Sequence, residues 1–245
     1  MTEPLAANVQ RKLLVISAHA ADFVWRAAGA IATATANGGS ATVISLSYGE
    51  RGESGELWKV PGQTIERVKE IRHDEALRAA EALGATFRCL DLGDYPLEIG
   101  RSALEQLTEI IAETAPDVIL THAERDPFNP DHPTAYSATE RARQLASGAG
   151  VASAFSTVRP SEFLLFEPHQ PELCGFVPTT FLDITPVFPQ KERAMAAIAA
   201  QDYLRQYYTE RAGHRANHAR RISGASNIRY AEAFQRVLPH VVRSL

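Results

Sequence analysis

Residues 12–29 read KLLVISAHAADFVWRAAG, and this stretch decides the fold. The apolar run at 13–16 predicts a buried strand, and the small residues that follow predict a turn into a helix that begins near Asp22. His19 and Asp22 lie just past the strand end, where an open α/β sheet places its chemistry. An imidazole and a carboxylate suit zinc or a similar divalent cation. On this stretch alone, a helix-capping Asp22 and a polar loop residue at His19 are the simpler interpretation.

Strand and helix patterns alternate along the first part of the chain. Strands are predicted at 12–17, 41–46, 86–91 and 118–122, and helices at 22–36, 63–83, 101–114 and 134–146. This alternation predicts an α/β fold with a mostly parallel, Rossmann-like sheet and helices on both faces. We expect a single domain over 1–245, with its core at about 12–146.

The last third of the chain has a different pattern of predicted elements. Shorter strands are predicted at 162–167 and 180–184, a helix at 190–200, and a basic C-terminal segment at 202–236 that is helical in parts. We expect residues 147–245 to complete the sheet and cover the site.

The bulk composition excludes several classes of protein. An apolar content of 45% is normal for a globular core, and a net charge of −4 gives no overall attraction to nucleic acid or membrane. Residues 1–10 lack the apolar segment of a secretory signal, and no apolar run approaches the roughly 20 residues of a membrane span. Cys89 and Cys174 match no zinc or redox spacing. These features predict a cytoplasmic protein with reduced thiols.

A second informative stretch, THAERDPFNPDHPTAY at 121–136, also follows a predicted strand. His132 is a candidate third metal ligand, and Asp131 beside it is placed to orient an imidazole or to position water. Three protein ligands with open positions are typical of a catalytic metal site. The alternative is that His132 is only a helix-start residue before Pro133.

A third stretch, YGERGES at 48–54, follows the second predicted strand. Its glycines allow the backbone to approach a ligand closely. We expect site roles for Glu50 and Arg51, and an exposed loop position for Glu53.

Together these stretches resemble the PIG-L/LmbE-like family of zinc-dependent de-N-acetylases, from about residue 12 to residue 146. The family's motif Ala-His-Pro-Asp-Asp reads AHAAD at 18–22 here, and its His-Pro-Asp-His reads NPDH at 129–132. The resemblance implies that zinc, or another divalent cation, is bound by the residues at the three ligand positions, which are His19, Asp22 and His132.

Two positions depart from the family pattern. The resemblance assigns the deacetylase's base to the position of Ala21, and the histidine that assists the leaving group to the position of Asn129. Amide hydrolysis needs a base and an acid, and losing either typically slows a reaction by about 10²–10⁴-fold. The departures therefore favour a different reaction, with Asn129 left to bind substrate.

One branch of the family matches these departures. The segments SAHAADFVWRAAGAIA, SYGERGESGELW and FEPHQPELCGF resemble the 4-oxalomesaconate hydratases of bacterial gallate breakdown. The resemblance implies a homo-oligomer, with a hexamer as one form, and addition of water to a carbon–carbon double bond, giving 4-carboxy-4-hydroxy-2-oxoadipate. Glu50 and His169 are then the candidate base and acid, in an order that the sequence leaves open. The alternative for His169 is a solvated loop side chain.

A substrate with several carboxylates needs cationic partners. Arg51 and Arg125 lie in the loops after predicted strands, and Arg215 belongs to the basic C-terminal cluster. Guanidinium groups bind carboxylates through two hydrogen bonds. The alternative for the cluster is an exposed helix face or a subunit contact. Its short length and few aromatic residues argue against a nucleic-acid partner.

Two rival functions remain at this stage. A zinc-dependent de-N-acetylase of an amino-sugar conjugate is favoured by the intact His-Asp-His set. A ligand-binding protein that kept the metal site is supported only by the missing base.

Overall fold

The computed structural model describes residues 10–151 and 154–241. Within them, the strands are β1 Lys12–Ser17, β2 Ser40–Ser45, β3 Thr86–Cys89, β4 Val118–Thr121, β5 Glu162–Phe166, β6 Thr180–Asp183 and β7 Ala231–Arg236. They form one sheet of order β3-β2-β1-β4-β5-β7-β6. The first five strands in that order are parallel, and β7 is antiparallel to both β5 and β6. The predicted α/β fold with a mostly parallel sheet is confirmed.

Helices cover both faces of this sheet. The helices are α1 Asp22–Ala36, α2 Gly55–Trp58, α3 Ile65–Ala82, α4 Arg101–Thr114, α5 Asp131–Ala146, α6 Phe188–Ala197 and α7 Leu204–Ser223. No helix in the described parts of the chain is long and apolar enough to cross a membrane. Cys89 and Cys174 are free thiols.

The central position of β1 explains its continuous apolar sequence. Leu13 and Val15 pack on the face covered by α1, α3, α6 and α7, whereas Leu14 and Ile16 pack on the face covered by α4 and α5. A strand that is buried on both faces shows an apolar run instead of polar alternation. Each such side chain contributes about 1.5–3 kcal/mol through burial.

The sheet order places a crevice beside the end of β1. This strand pairs with β2 on one side and with β4 on the other. The chain continues from β1 into α1 on one face of the sheet, and from β4 into α5 on the other face. Such a switch in strand order opens a crevice at the carboxyl ends of the strands, where α/β proteins bind ligands.

A buried ion pair ties β7 to α1. The Glu232 carboxylate accepts hydrogen bonds from the backbone N–H groups of Gly29 and Ala30, at 2.8 and 2.9 Å. Lys191 Nζ lies 2.6 Å from Glu232 Oε1 and also donates to the carbonyl of Trp25, at 3.0 Å. Because both charged side chains are buried away from water, each charge must be compensated by the other.

The basic segment is helical in its first part, as expected, and its end forms a strand that was not predicted. Helix α7 ends at Ser223, and Gly224 adopts the left-handed conformation (φ 73°) that stops it. Residues 231–236 instead form β7, inserted between β5 and β6. Glu232 of this strand is buried because it pairs with Lys191, which lies 41 residues away in the sequence. A charged residue whose partner is so distant hides the strand from any local sequence pattern.

Candidate active site

Four elements bring ligand-type side chains to the crevice beside β1. His19 lies in the turn after β1, Asp22 is the first residue of α1, and His132 is the second residue of α5. His122 follows β4 directly. All four side chains are buried. Helix α5 begins at Asp131 instead of residue 134, which places His132 in its first turn.

Asp22 is the centre of this cluster. Its Oδ2 accepts a hydrogen bond from the backbone N–H of His19 at 2.9 Å and lies 3.2 Å from His19 Nδ1. Its Oδ1 lies 3.6 Å from His132 Nε2. The three predicted metal ligands therefore meet in one buried pocket.

Two further carboxylates orient the imidazoles. Asp131 Oδ2 lies 3.1 Å from His19 Nε2, which leaves Nδ1 of that ring facing Asp22. Asp126 Oδ2 lies 2.7 Å from His132 Nδ1, which leaves Nε2 facing Asp22. Carboxylates that hold the far nitrogen of a metal-binding histidine are a common second layer of metal sites.

Asp131 is itself firmly held. Its carboxylate accepts hydrogen bonds from the backbone N–H groups of Tyr95 and Leu97, at 3.0 and 2.8 Å. Burial alone would raise the pKa of Asp131, but His19 and these two N–H groups lower it to about 2. The side chain is thus an anion at neutral pH, as a partner of His19 must be.

A divalent cation fits this donor set. Oxygen and nitrogen atoms of Asp22, His122 and His132 lie within 4.8 Å of one another, as do those of His19, Glu53 and His132. His132 Nε2 is buried and finds no hydrogen-bond partner among residues 10–151 and 154–241. A buried polar atom of this kind requires a partner, and a cation between Asp22 and His132 would supply it.

His122 was not predicted as a site residue, because in the sequence it lies at the end of a predicted strand. His122 Nε2 accepts a hydrogen bond from the backbone N–H of Ala18 at 2.9 Å, and the ring stacks on His132 with centroids 4.1 Å apart. Burial, and then His132, lower the pKa of His122 well below its usual value. The ring is therefore neutral. Its Nε2 lies 3.3 Å from Asp22 Oδ2, within the cluster, but its lone pair accepts the Ala18 N–H, so His122 is a neighbour of the predicted ligands and not one of them.

The exposed position expected for Glu53 was wrong. Its carboxylate accepts hydrogen bonds from Asn129 Nδ2 at 2.7 Å and Gln201 Nε2 at 2.9 Å. The loop folds onto the site because Gly49 has a φ of 70° and sits where a Cβ would lie 3.1 Å from His19 Cβ. Only glycine tolerates both conditions easily.

Asn129 is held on both sides of its amide. Its Oδ1 accepts a hydrogen bond from the backbone N–H of Asp131 at 3.1 Å, and its Nδ2 donates to Glu53. The side chain thus links the loop after β2 to the start of α5. A substrate contact of Asn129 remains a prediction.

Glu50 is fully buried beside two cations. Its carboxylate lies 3.9 Å from both Arg51 Nη1 and Lys69 Nζ, and within the described residues neither oxygen accepts a hydrogen bond. Burial, as the largest cause, raises the pKa of Glu50. Arg51 itself is half exposed and donates from Nη1 to the carbonyl of Asp94 at 2.7 Å.

His169 is positioned by residues of α7. Tyr207 stacks on its ring with centroids 4.2 Å apart, and Arg211 Nη2 donates to its carbonyl at 2.8 Å. Tyr208 Oη lies 3.5 Å from His169 Nδ1. Burial, and then the charges of Arg26 and Arg211, lower the pKa of His169. The half-buried ring is therefore neutral at pH 7.

The remaining arginines predicted to bind substrate have other surroundings. Arg125 is exposed. Arg215 binds Glu167, with Nε 2.9 Å from Oε2, and Arg211 binds the same carboxylate at 3.0 Å. Substrate roles for Arg51, Arg125 and Arg215 stay predictions.

The fold and site define an open α/β protein with a buried His-Asp-His cluster suited to a divalent cation. The chain belongs to the PIG-L family, because residues 14–143 match the family model described as GlcNAc-PI de-N-acetylase.

Two relatives that are 43% identical over nearly the whole chain are hydratases. The chain is 43% identical to a 4-oxalmesaconate hydratase of Pseudomonas putida over 96% of its own length and 93% of the relative. It also superposes, with a TM-score of 0.93, on the crystal structure of GalB, the 4-carboxy-2-hydroxymuconate hydratase of Pseudomonas putida, covering 96% of this chain and 99% of that one.

Deacetylase relatives have lower sequence identity, and those aligned by sequence match a smaller part of the chain. A 1D-myo-inositol 2-acetamido-2-deoxy-alpha-D-glucopyranoside deacetylase of Thermomonospora curvata is 31% identical over 58% of this chain and 55% of the relative.

Proposed function

We propose that this chain is a metal-dependent hydro-lyase that adds water to the carbon–carbon double bond of 4-oxalomesaconate, giving 4-carboxy-4-hydroxy-2-oxoadipate in the catabolism of aromatic acids such as gallate. The observation that carries the proposal is the full-length similarity to hydratases. Ala21 and Asn129 support it, because neither side chain can transfer a proton as amide hydrolysis requires.

The residues that would hold the cation, zinc or another divalent metal, are His19, Asp22 and His132. When bound there, the cation polarises substrate oxygens and stabilises the negative charge that develops on them. Asp131 and Asp126 keep the two imidazoles turned toward Asp22.

Proton transfer would fall to His169 and Glu50. The neutral imidazole of His169 suits a base that takes a proton from water, because its pKa is lowered. Glu50 suits the acid that delivers a proton to carbon, because burial raises the pKa of its carboxyl group. Tyr207 and Arg211 hold the backbone of His169, so the ring is pre-positioned.

The test is to incubate the purified protein with 4-oxalomesaconate and follow the loss of its conjugated absorbance, with and without a chelator. We expect loss of absorbance that the chelator abolishes. His169→Asn and Glu50→Gln should each reduce turnover by about 10²–10⁴-fold while metal content stays normal. A variant that loses its metal instead would show that its residue is a ligand and not a proton-transfer group.

The second candidate function is a zinc-dependent de-N-acetylase, favoured by the complete His-Asp-His set and the partial similarity to deacetylases. Release of acetate from an N-acetyl amino-sugar conjugate, without hydration of 4-oxalomesaconate, would establish it. A homo-oligomeric state, including a hexamer, and a cytoplasmic location stay predictions, with analytical ultracentrifugation as the check of the former.

A further inference from the structure

Arg26 is a buried cation without a hydrogen-bonded partner. Its side chain is 7% exposed and lies on α1, one turn beyond Asp22. Its Nε is 3.6 Å from Asp22 Oδ1, which is beyond hydrogen-bonding distance. Within residues 10–151 and 154–241, none of the guanidinium N–H groups donates a hydrogen bond.

A second buried arginine in the same chain shows how such a group is normally satisfied. Arg72 donates from Nη1 to Glu75 at 2.9 Å and from Nη2 to Gln201 at 3.2 Å. Burying a guanidinium without such partners is strongly unfavourable. Arg26 has only the ion pair with Asp22, itself a predicted metal ligand, so its guanidinium has donors left for a further anion.

The surroundings of Arg26 place that anion inside the active site. Its guanidinium lies beside Asp22 of the metal cluster, and its central carbon is 5.9 Å from the centre of the Phe166 ring. Arg26 also lines a small cavity together with Tyr208, and its charge is among the causes that lower the pKa of His169. The Tyr208 hydroxyl in turn lies 3.5 Å from His169 Nδ1.

We infer that Arg26 binds a carboxylate group of the substrate and thereby holds the reacting carbons between the metal cluster and His169. The inference rests on the proposed function, and it names the chemical class that this part of the site selects, which is an anionic acid. A planar guanidinium matches a carboxylate through two parallel hydrogen bonds. A neutral amino sugar offers no such group, so Arg26 also separates hydratase substrates from deacetylase substrates.

The experiment compares wild-type protein with Arg26→Met, Arg26→Lys and the surface control Arg67→Met by calorimetric titration with propane-1,2,3-tricarboxylate. Arg67 is 64% exposed and pairs only with Glu70 in the described structure. We expect Arg26→Met to bind the tricarboxylate about 10–100-fold more weakly, as for loss of charged hydrogen bonds. Arg26→Lys should be intermediate, and Arg67→Met should match the wild type.

Metal content and the unfolding midpoint are measured on every variant. A folded Arg26→Met that binds the tricarboxylate as tightly as the wild type would overturn the inference. If Arg26→Met does not fold, Arg26→Lys decides: weaker binding by a folded Lys variant supports the inference, whereas wild-type affinity, or failure of both variants to fold, refutes it.

The two proposals fail in different ways. If the wild type does not hydrate 4-oxalomesaconate but loses tricarboxylate affinity on replacement of Arg26, the proposed reaction is wrong and the carboxylate site stands. If hydration proceeds and Arg26→Met leaves both affinity and KM unchanged, the reaction stands and the site is wrong.

Discussion

Replacing Lys191 with methionine is expected to destabilise the fold by about 3–5 kcal/mol, the usual effect of removing one partner of a buried ion pair. Lys191 Nζ contacts Glu232 Oε1 at 2.6 Å and the carbonyl of Trp25 at 3.0 Å. Both charged side chains are at most 5% exposed. The substitution keeps most of the aliphatic volume but leaves the Glu232 carboxylate and the Trp25 carbonyl without this donor.

The chain contains a matched control for this experiment. Lys59 and Glu56 also lie 2.6 Å apart, but their side chains are 70% and 54% exposed. Lys59→Met should therefore change the free energy of unfolding by less than about 0.5 kcal/mol, because water screens an exposed pair. Burial is the main physical difference between the two lysine–glutamate pairs.

The assay is equilibrium unfolding in urea, with midpoint and slope fitted for each variant. Lys191→Met combined with Glu232→Gln should be less destabilising than the sum of the two single changes, by about 1–3 kcal/mol, because the double variant buries no unpaired charge. Equal midpoints for Lys191→Met and Lys59→Met, or strict additivity in the double variant, would refute the reasoning.

Three further predictions concern electrostatics and the site. Burial would raise the pKa of Glu162 above 4.5, but Arg236 lowers it, so the ionised form stabilises the fold above that pH and this contribution is lost as the pH falls through the lowered pKa. Glu162→Gln should thus lower stability by up to about 1 kcal/mol at pH 7, and in acid unfolding curves this difference should shrink below pH 4.5 and vanish once the pH has fallen below the lowered pKa. His122→Gln should retain about one metal ion per chain by elemental analysis, whereas His132→Gln should lose it, because the His122 lone pair already accepts a backbone hydrogen bond. Ala21→Asp should not increase the hydration rate, because position 21 is buried and a carboxylate there has no role in hydration; a large gain would show that the base has been misplaced.

Local sequence predicted the parts of the fold that local physics determines. The apolar run at 13–16 is best accommodated as a strand that is buried on both faces, and the first helix follows this strand after a short turn. His19, Asp22 and His132 could be grouped from sequence because each lies just after a strand end or at the next helix start. The sheet then brings those ends together.

The missed features all depend on distant partners. Glu53 reads as an exposed loop residue until Asn129 and Gln201 are placed against it. His122 reads as a strand end until Ala18, 104 residues away, donates to its ring. Arg26 reads as one polar residue on a helix, and only its surroundings show that it is buried and has no hydrogen-bonded partner among the described residues. No pattern of neighbouring residues carries that information.

The most direct measurement of the central claim combines elemental analysis with the hydration assay on the same sample of protein. We predict about one divalent cation per chain, loss of 4-oxalomesaconate hydration when a chelator removes the cation, and recovery when zinc is added back. A sample that hydrates the substrate at full rate with no cation bound would contradict this prediction.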